Sequence, residues 1–187
     1  MGRIQTILDR IYTKTNYKHT LFFFLFFLVF TSVVLPYISN LTERVIGVSE
    51  SIDTNFSFNL FTLYTIIDSY QEEGRRFYVL IRWTFDVVWP LIYTAMLLTG
   101  IAFFAKKIQC KFQYKILYVP LLAISFDYLE NIFATFAMLY YPGKLDLVMY
   151  FLIASSMLKW GILSLAFLIL ILLIIRTIVK GKQNYEK

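Results

Sequence analysis

Three polar side chains lie close together in an otherwise apolar stretch between positions 117 and 140. Asp127 and Glu130 are three residues apart, and Asp127 and Asn131 are four apart, so an α-helix places all three on one face. A carboxylate in the middle of a membrane-spanning helix costs about 2.5–3.5 kcal/mol on insertion scales, so it needs a partner. The chemistry open to such a face is proton exchange, cation binding or an ionic link between helices.

Candidate partners occur in two other apolar stretches. Arg82 and Asp86 are four residues apart near the start of one, and Lys159 is the one charge in the middle of the last. If these stretches cross a bilayer as helices, Asp86, Glu130 and Lys159 lie roughly 13–15 Å below the same surface by helical rise. We therefore predict one buried ionic pocket, which is formed by Arg82, Asp86, Asp127, Glu130, Asn131 and Lys159.

The three acids of this pocket outnumber its two bases. Either one acid carries a proton, or a cation or an amine ligand completes the charge balance. Ionisable groups that face one another inside a membrane commonly line a path or a binding site. The alternative is an ionic link that holds the helices together, although such polar contacts are worth only about 0.6 kcal/mol on average.

The composition is that of a membrane protein. Of 187 residues, 59% are hydrophobic and 16% are charged, and the mean hydropathy is +0.65, which lies outside the range of ordinary soluble domains. The net charge of +6 comes from basic residues that flank the apolar stretches, so it predicts membrane topology and no nucleic-acid partner. We expect membrane lipids as partners, and a homo-oligomer or a second membrane protein stays open.

Cys110 and His19 are the only residues of their types. A disulfide within the chain is therefore excluded, and one imidazole cannot build a His-rich iron site or a bis-His haem site. Any metal would need carboxylate and carbonyl ligands. We predict no cofactor and no metal ligands.

The hydropathy pattern predicts an all-α fold, an integral membrane four-helix bundle that forms a single membrane domain over residues 1–187. The predicted spans are about 20–38, 77–105, 117–140 and 147–176, each long enough to cross a bilayer. The first is interpreted as an uncleaved anchor, because no small-residue cleavage site follows it. A basic leader over residues 1–19 is predicted to hold a short amphipathic helix on the membrane surface.

Residues 39–76 form the one long loop between predicted spans. Within it, apolar residues recur at the spacing of a helix. They are Leu60, Leu63, Tyr64, Ile67 and Tyr70. This predicts an amphipathic extracytoplasmic helix over about 59–73, capped by Ser57 or Asn59 and ended by Gly74. We expect this helix to lie over the mouth of the bundle.

The Lys and Arg residues follow the positive-inside rule. Four precede the first span, four lie between the second and third, and four follow position 175, whereas six acids outnumber three bases in the loop at 39–76. This distribution predicts that both termini are cytoplasmic and that the long loop is extracytoplasmic.

Pro90 lies inside the second predicted span. A proline removes one backbone hydrogen bond and bends a helix about a turn before itself, which predicts an unsatisfied carbonyl near Asp86. A bend beside a buried acid opens a small polar cavity in many membrane proteins, and a simple packing kink is the equal alternative.

A set of motifs covers much of the chain. The most specific is the run Asp-Tyr-Leu-Glu-Asn at 127–131. The other motif positions are Glu72, Glu73, Gly74, Arg75, Tyr78, Asp86, Pro90, Tyr93, Pro120, Tyr141, Pro142, Lys159 and Trp160. Over about residues 55–165 the chain therefore resembles a family of small, uncharacterised four-span bacterial integral membrane proteins. That family has Leu-Gly-Glu-Glu-Gly where this chain has Tyr-Gln-Glu-Glu-Gly at 70–74. The resemblance implies the fold, a bacterial source and the inner (plasma) membrane, and it implies no reaction.

Three functions fit these features. The first is binding or transport of a cation, a proton or a small amine at an outward-facing pocket. The second is an intramembrane enzyme that modifies a lipid or an isoprenoid, with the paired carboxylates Asp127 and Glu130 as acid and base and with Arg75 and Arg76 contacting a headgroup phosphate. The third is an accessory or assembly subunit with purely structural ion pairs. The sequence leaves open whether the protein is an enzyme.

Overall fold

The computed structural model describes residues 3–48, 51–52, 59–110 and 113–185. The structure is 90% helical, and no strand occurs among the described residues, which confirms the all-α prediction. The helices are Arg3–Lys14 (α1), Tyr17–Val29 (α2), Leu35–Ile46 (α3), Leu60–Ser69 (α4), Gln71–Trp83 (α5), Phe85–Ile108 (α6), Gln113–Tyr140 (α7) and Asp146–Tyr185 (α8), and a π-helical turn, Phe30–Val34, joins α2 to α3.

Four helical segments are long and apolar enough to cross a membrane, as predicted. They are Tyr17–Ile46, Gln71–Ile108, Lys115–Tyr140 and Asp146–Gly181. The last follows from a stretch rich in Leu and Ile in which Lys159 is the one charged residue between Asp146 and Arg176, and such a stretch has both the length and the hydropathy of a membrane helix. The packing of the four segments as one bundle stays a prediction.

The chain divides into two compact units. One comprises Met1–Leu28, Ile92–Ala123 and Gly161–Lys187 and is called unit 1; the other comprises Val29–Leu91 and Ile124–Trp160 and is called unit 2. Each of the four long helical segments contributes residues to both units. All six residues of the predicted ionic pocket belong to unit 2.

The first long segment continues beyond position 38, where the apolar run of the first predicted span ends. Helix α3 runs to Ile46, and Gly47 then adopts a left-handed conformation with φ 79°. The Gly47 amide donates to the carbonyl of Glu43 at 2.8 Å, so this glycine closes the helix in the usual manner of a C-terminal cap. Residues 39–46 are therefore helical and not part of a loop.

A helix, α4, lies within the predicted range 59–73 and ends earlier, at Ser69, whereas its extracytoplasmic location stays a prediction. Asn59 caps α4, because its side chain accepts a hydrogen bond from the Phe61 amide at 3.0 Å, which confirms one of the two predicted caps. The prediction that Gly74 ends this helix is wrong. The chain turns at Gln71, where φ is 54°, and α5 then passes through Gly74. A Cβ at Gly74 would lie 3.5 Å from the Cα of Ile46, an ordinary van der Waals distance, so α3 and α5 leave room for an alanine at this position.

Helix α4 packs into the apolar core of unit 2. The buried residues of this core that come from α4 are Leu63, Tyr64, Ile66 and Ile67. Two phenol hydroxyls tie this region to the turn between α7 and α8: Tyr64 donates to Asp146 at 3.0 Å and Tyr141 donates to Asp68 at 2.6 Å. Burial and the bond to Asp146 raise the pKa of Tyr64 to about 12. The bond to Asp68, with a smaller contribution from burial, also raises the pKa of Tyr141.

Candidate functional site

The three polar residues of α7 share one buried face. Asp127, Glu130 and Asn131 are exposed to solvent by 5%, 0% and 1%, respectively. The spacing of three and four residues along one helix places them together, as the sequence predicts. A buried carboxylate needs compensating charge, and the neighbouring helices supply it.

Lys159 on α8 and Arg82 on α5 both contact the same oxygen of Glu130. The Nζ atom of Lys159 donates to Oε1 at 2.8 Å, and Nη1 of Arg82 donates to it at 3.3 Å. The Lys159 ammonium also lies 4.0 Å from Oδ1 of Asp127. Side chains of both cations are almost fully buried, so their interaction with the carboxylates is screened only weakly by water.

Arg82 links Glu130 to two further predicted pocket residues. Its Nη1 atom lies 3.0 Å from Oδ2 of Asp86 and donates to Oδ1 of Asn131 at 3.1 Å. Its Nη2 atom donates to the hydroxyl of Tyr78, and the guanidinium carbon lies 4.6 Å from the centre of that ring. A planar guanidinium has five N–H donors, which is why one arginine can join two helices here.

A hydrogen bond from Asn131 to the backbone of α6 compensates for the amide hydrogen that Pro90 lacks. The carbonyl of Asp86 is four residues before Pro90, which has no amide hydrogen to donate to it. The side-chain amide of Asn131 donates to this carbonyl at 3.1 Å instead, and the hydroxyl of Tyr128 donates to the next carbonyl, that of Val87, at 3.1 Å. The Asp86 carbonyl thus lacks the helical bond that residue 90 would donate, as predicted, and a side chain of α7 donates to it instead.

The break in the second segment lies earlier than Pro90 alone would place it. Helix α5 ends at Trp83, and Thr84 has φ −118° and ψ −77° before α6 begins. Trp83 donates from its indole to the hydroxyl of Thr135 at 2.9 Å, and Thr135 donates to the carbonyl of Asn131 at 2.7 Å. These bonds fix the break against α7 and hold Arg82 and Asp86 on either side of it.

A cavity of about 180 Å³ reaches the ionic cluster from α3. Its polar lining is Ser39, Thr42, Glu43, Ser51, Tyr70, Tyr78, Arg82 and Asp86. The side chain of Asp86 is 19% exposed, so it is the acid of the cluster with the greatest access to this cavity. The cavity is polar and large enough to hold water.

The contribution of α3 to this cavity was not predicted from the sequence. The first span was expected to end at position 38, so the polar residues that follow it were not placed near the cluster. Ser39, Thr42 and Glu43 stand at the i, i+3, i+4 spacing of one helical face. Glycine is frequent at helix ends, so Gly47 was the signal in the sequence that α3 continues this far.

Arg75 and Arg76, the predicted headgroup contacts, lie apart from the buried cluster. The Arg76 guanidinium pairs with Glu72 at 2.7 Å, and both side chains are exposed. The Arg75 guanidinium carbon lies 4.8 Å from the centre of the Tyr141 ring. Both arginines line a cavity of about 390 Å³ together with Glu72, Met138, Leu139, Tyr141 and Pro142. The headgroup contact itself stays a prediction.

The assembled cluster has an excess of negative charge. Asp86, Asp127 and Glu130 face Arg82 and Lys159, which leaves one negative charge when every group is ionised. Within the described ranges, no three Asp, Glu, His or Cys side chains are arranged as the ligands of a metal ion. The arrangement can accept one positive charge, and each carboxylate already contacts a cation of the protein.

The apolar helical segments and the buried cluster together indicate the class of protein. Four apolar helical segments are compatible with a multi-pass membrane protein, and unit 2 contains a buried ionic network that joins α5, α7 and α8. No family model, no curated protein and no solved structure matches the chain.

Proposed function

We propose that this chain is a multi-pass protein of a bacterial inner membrane, with both termini in the cytoplasm, and that its buried cluster binds and exchanges a proton. The observation that carries the proposal is the fully buried Glu130, whose Oε1 atom contacts both Lys159 and Arg82. Three acids around two bases leave a charge that one proton neutralises, and a proton needs only one carboxylate oxygen.

The polar cavity supports a route for the proton. Asp86 is the most exposed of the three acids and lines the cavity together with Glu43. Arg82 contacts both Asp86 and Glu130, and Lys159 contacts both Glu130 and Asp127. Protonation of Asp86 would weaken its ion pair with Arg82, so Arg82 would interact more strongly with Glu130. The five side chains thus form a continuous path along which a change of protonation can be passed.

The orientation can be tested with the natural cysteine. Cys110 follows α6, in the loop that we place in the cytoplasm. A membrane-impermeant maleimide should label it in inverted membrane vesicles and leave it unlabelled in intact spheroplasts. In a Cys110→Ser background, Lys144→Cys between α7 and α8 should give the opposite pattern. Labelling of Cys110 from outside would contradict the proposed orientation.

Proton exchange can be tested in liposomes that contain the purified protein and a trapped pH indicator. Glu130→Gln should slow the response to an imposed pH difference by about 100-fold, the scale expected when a proton-transfer group is removed. Asp86→Asn should also slow it, and this variant keeps the contact between Glu130 and Lys159. Glu72→Gln, which alters only the exposed pair with Arg76, is the matched control.

The same measurement separates proton exchange from a purely structural role. Folding of each variant is checked by thermal unfolding in detergent, so that a slow response is compared only among folded proteins. If folded Asp86→Asn and Glu130→Gln proteins respond at the rate of the wild type, the cluster is an ionic link between helices and the proposal is wrong.

A further inference from the structure

Unit 1 contains a second feature, a groove of about 290 Å³ between α1, α2 and α6. Its lining residues are Arg10, Ile11, Lys14, Thr15, His19, Phe23 and Thr99. The groove shares no residue with the ionic cluster of unit 2. A ligand of this groove can be inferred without knowing what that cluster binds. The inference requires only that the chain lies in a membrane.

The groove has a basic rim and an apolar floor. Arg10, Lys14 and His19 are exposed, whereas Ile11 and Phe23 are partly buried and Thr99 is buried. Phe23 and Thr99 belong to membrane-spanning segments, while Arg10 and Lys14 belong to the polar helix that precedes the first of them. Positive charge therefore lies at the point where the first spanning segment begins, directly beside an apolar surface.

The groove is held open by hydrogen bonds of its own. Lys106 donates to the carbonyls of Thr13 and Thr15 at 2.9 and 3.0 Å, which satisfies the end of α1. The side chain of Asn16 accepts from the amides of Lys18 and His19 and so caps the start of α2. The corner between α1 and α2 is thereby fixed before any ligand binds.

Lys106 is bonded to this corner, whereas Arg10 and Lys14 of α1 line the groove. Among the residues that the structure describes, no acid forms an ion pair with Arg10 or Lys14. A guanidinium and an ammonium on one rim match the charge of a phosphate, and a guanidinium can bind it through two parallel hydrogen bonds. Basic pockets between membrane helices are known to bind anionic headgroups.

We propose that this groove binds one anionic phospholipid, with its phosphate between Arg10 and Lys14 and one acyl chain along Ile11 and Phe23. His19 lies on the rim and adds a third donor to the headgroup. The occupant is a lipid and not a free phosphate, because the floor is apolar and the surrounding bilayer supplies acyl chains at high local concentration. The bound lipid would fix the angle between α1 and the spanning segment that follows it.

The test compares two double variants that remove the same charge. Arg10→Gln with Lys14→Gln alters the rim, and Lys18→Gln with Lys107→Gln alters exposed residues that do not line the groove. Binding of dioleoylphosphatidylglycerol and of dioleoylphosphatidylcholine to the full chain in detergent is measured by native mass spectrometry. The rim variant should bind phosphatidylglycerol roughly 25-fold more weakly than the wild type, at about fivefold for each of the two basic residues. The control variant should stay within about twofold, because its two lysines are exposed and do not line the groove.

Two results would overturn the proposal. One is equal weakening in both double variants, which would show unspecific attraction to basic charge. The other is equal binding of phosphatidylcholine and phosphatidylglycerol by the wild type, which would show an apolar crevice only. Inorganic phosphate should compete with phosphatidylglycerol only weakly, and full competition at equal concentration would mean that the acyl chain contributes nothing.

A second variant keeps the test valid if the rim variant does not fold. Phe23→Trp places a fluorophore on the floor of the groove. Brominated phosphatidylglycerol should quench its added fluorescence at about tenfold lower concentration than brominated phosphatidylcholine does, with the wild type providing the background of the native tryptophans. Equal quenching by the two lipids would contradict a headgroup-specific site.

Discussion

Replacing Lys159 with methionine is expected to lower the free energy of unfolding by about 3–5 kcal/mol, because removal of one partner leaves buried charge uncompensated. Glu130 would lose its closest cation, at 2.8 Å, and Asp127 would lose the cation at 4.0 Å. The measurement is thermal and denaturant unfolding of the purified protein in detergent. Lys180→Met, on an exposed part of the same helix, is the matched control and should change stability little.

A compensating variant shows whether the loss comes from charge or from packing. Lys159→Met together with Glu130→Gln removes one positive and one negative group, and it keeps the contact between Arg82 and Asp86. This double variant should recover at least about 1–2 kcal/mol of the loss, since a neutral amide is cheaper to bury than a carboxylate. If the double variant is as unstable as Lys159→Met alone, packing of the lysine side chain and not its charge stabilises the fold.

Replacing Asn131 with leucine is expected to cost about 1–3 kcal/mol, because it leaves a part-buried carbonyl without its donor. This is the carbonyl of Asp86, which Pro90 cannot bond, whereas Arg82 loses one acceptor and keeps Glu130 and Asp86. The cost should be smaller in a Pro90→Ala background, where the amide of residue 90 can donate to the Asp86 carbonyl in the normal helical pattern.

The coupling between positions 90 and 131 is measured as a double-mutant cycle of unfolding free energies. We expect the two substitutions to be non-additive by about 1 kcal/mol, within the range found for residues that share a partner. Thr135→Val, which removes a hydroxyl one turn along α7, should add independently to Pro90→Ala. Strict additivity at both positions would mean that Asn131 does not substitute for the missing helical hydrogen bond.

The common level of Glu130 and Lys159 was predictable, because it follows from their positions along the two helices. Two helices that enter from the same side and rise by the same amount per residue bring equal positions to one level. Asp127 and Asn131 followed from their spacing to Glu130 along α7. The carbonyl of Asp86 followed from the chemistry of proline. These parts of the site are fixed by periodicity and by covalent structure, both of which are visible in the sequence.

Other parts depend on the rotation of one helix against another, which a single sequence does not specify. Arg82 stands one helical turn before Asp86, which was expected at the level of Glu130, yet its long side chain reaches the same oxygen atom as Lys159. Tyr78 stands one turn before Arg82 on the same helix, but nothing in its spacing shows that it bonds the guanidinium. Gly74 was taken as a helix end because glycine is frequent at helix ends, whereas it lies inside α5.

The π-helical turn Phe30–Val34 has a consequence for the polar face of α3. A π turn holds one residue more than an α turn, so everything after it is rotated by about 100° relative to an uninterrupted helix. Ser39, Thr42 and Glu43 come after this turn, and the direction in which they project is set by that single extra residue. Deletion of one residue between positions 30 and 34 would rotate the hydroxyls and the carboxylate by about a quarter of the helix circumference, away from the cavity beside Asp86. The length of a purely apolar stretch thereby determines where a polar surface is presented.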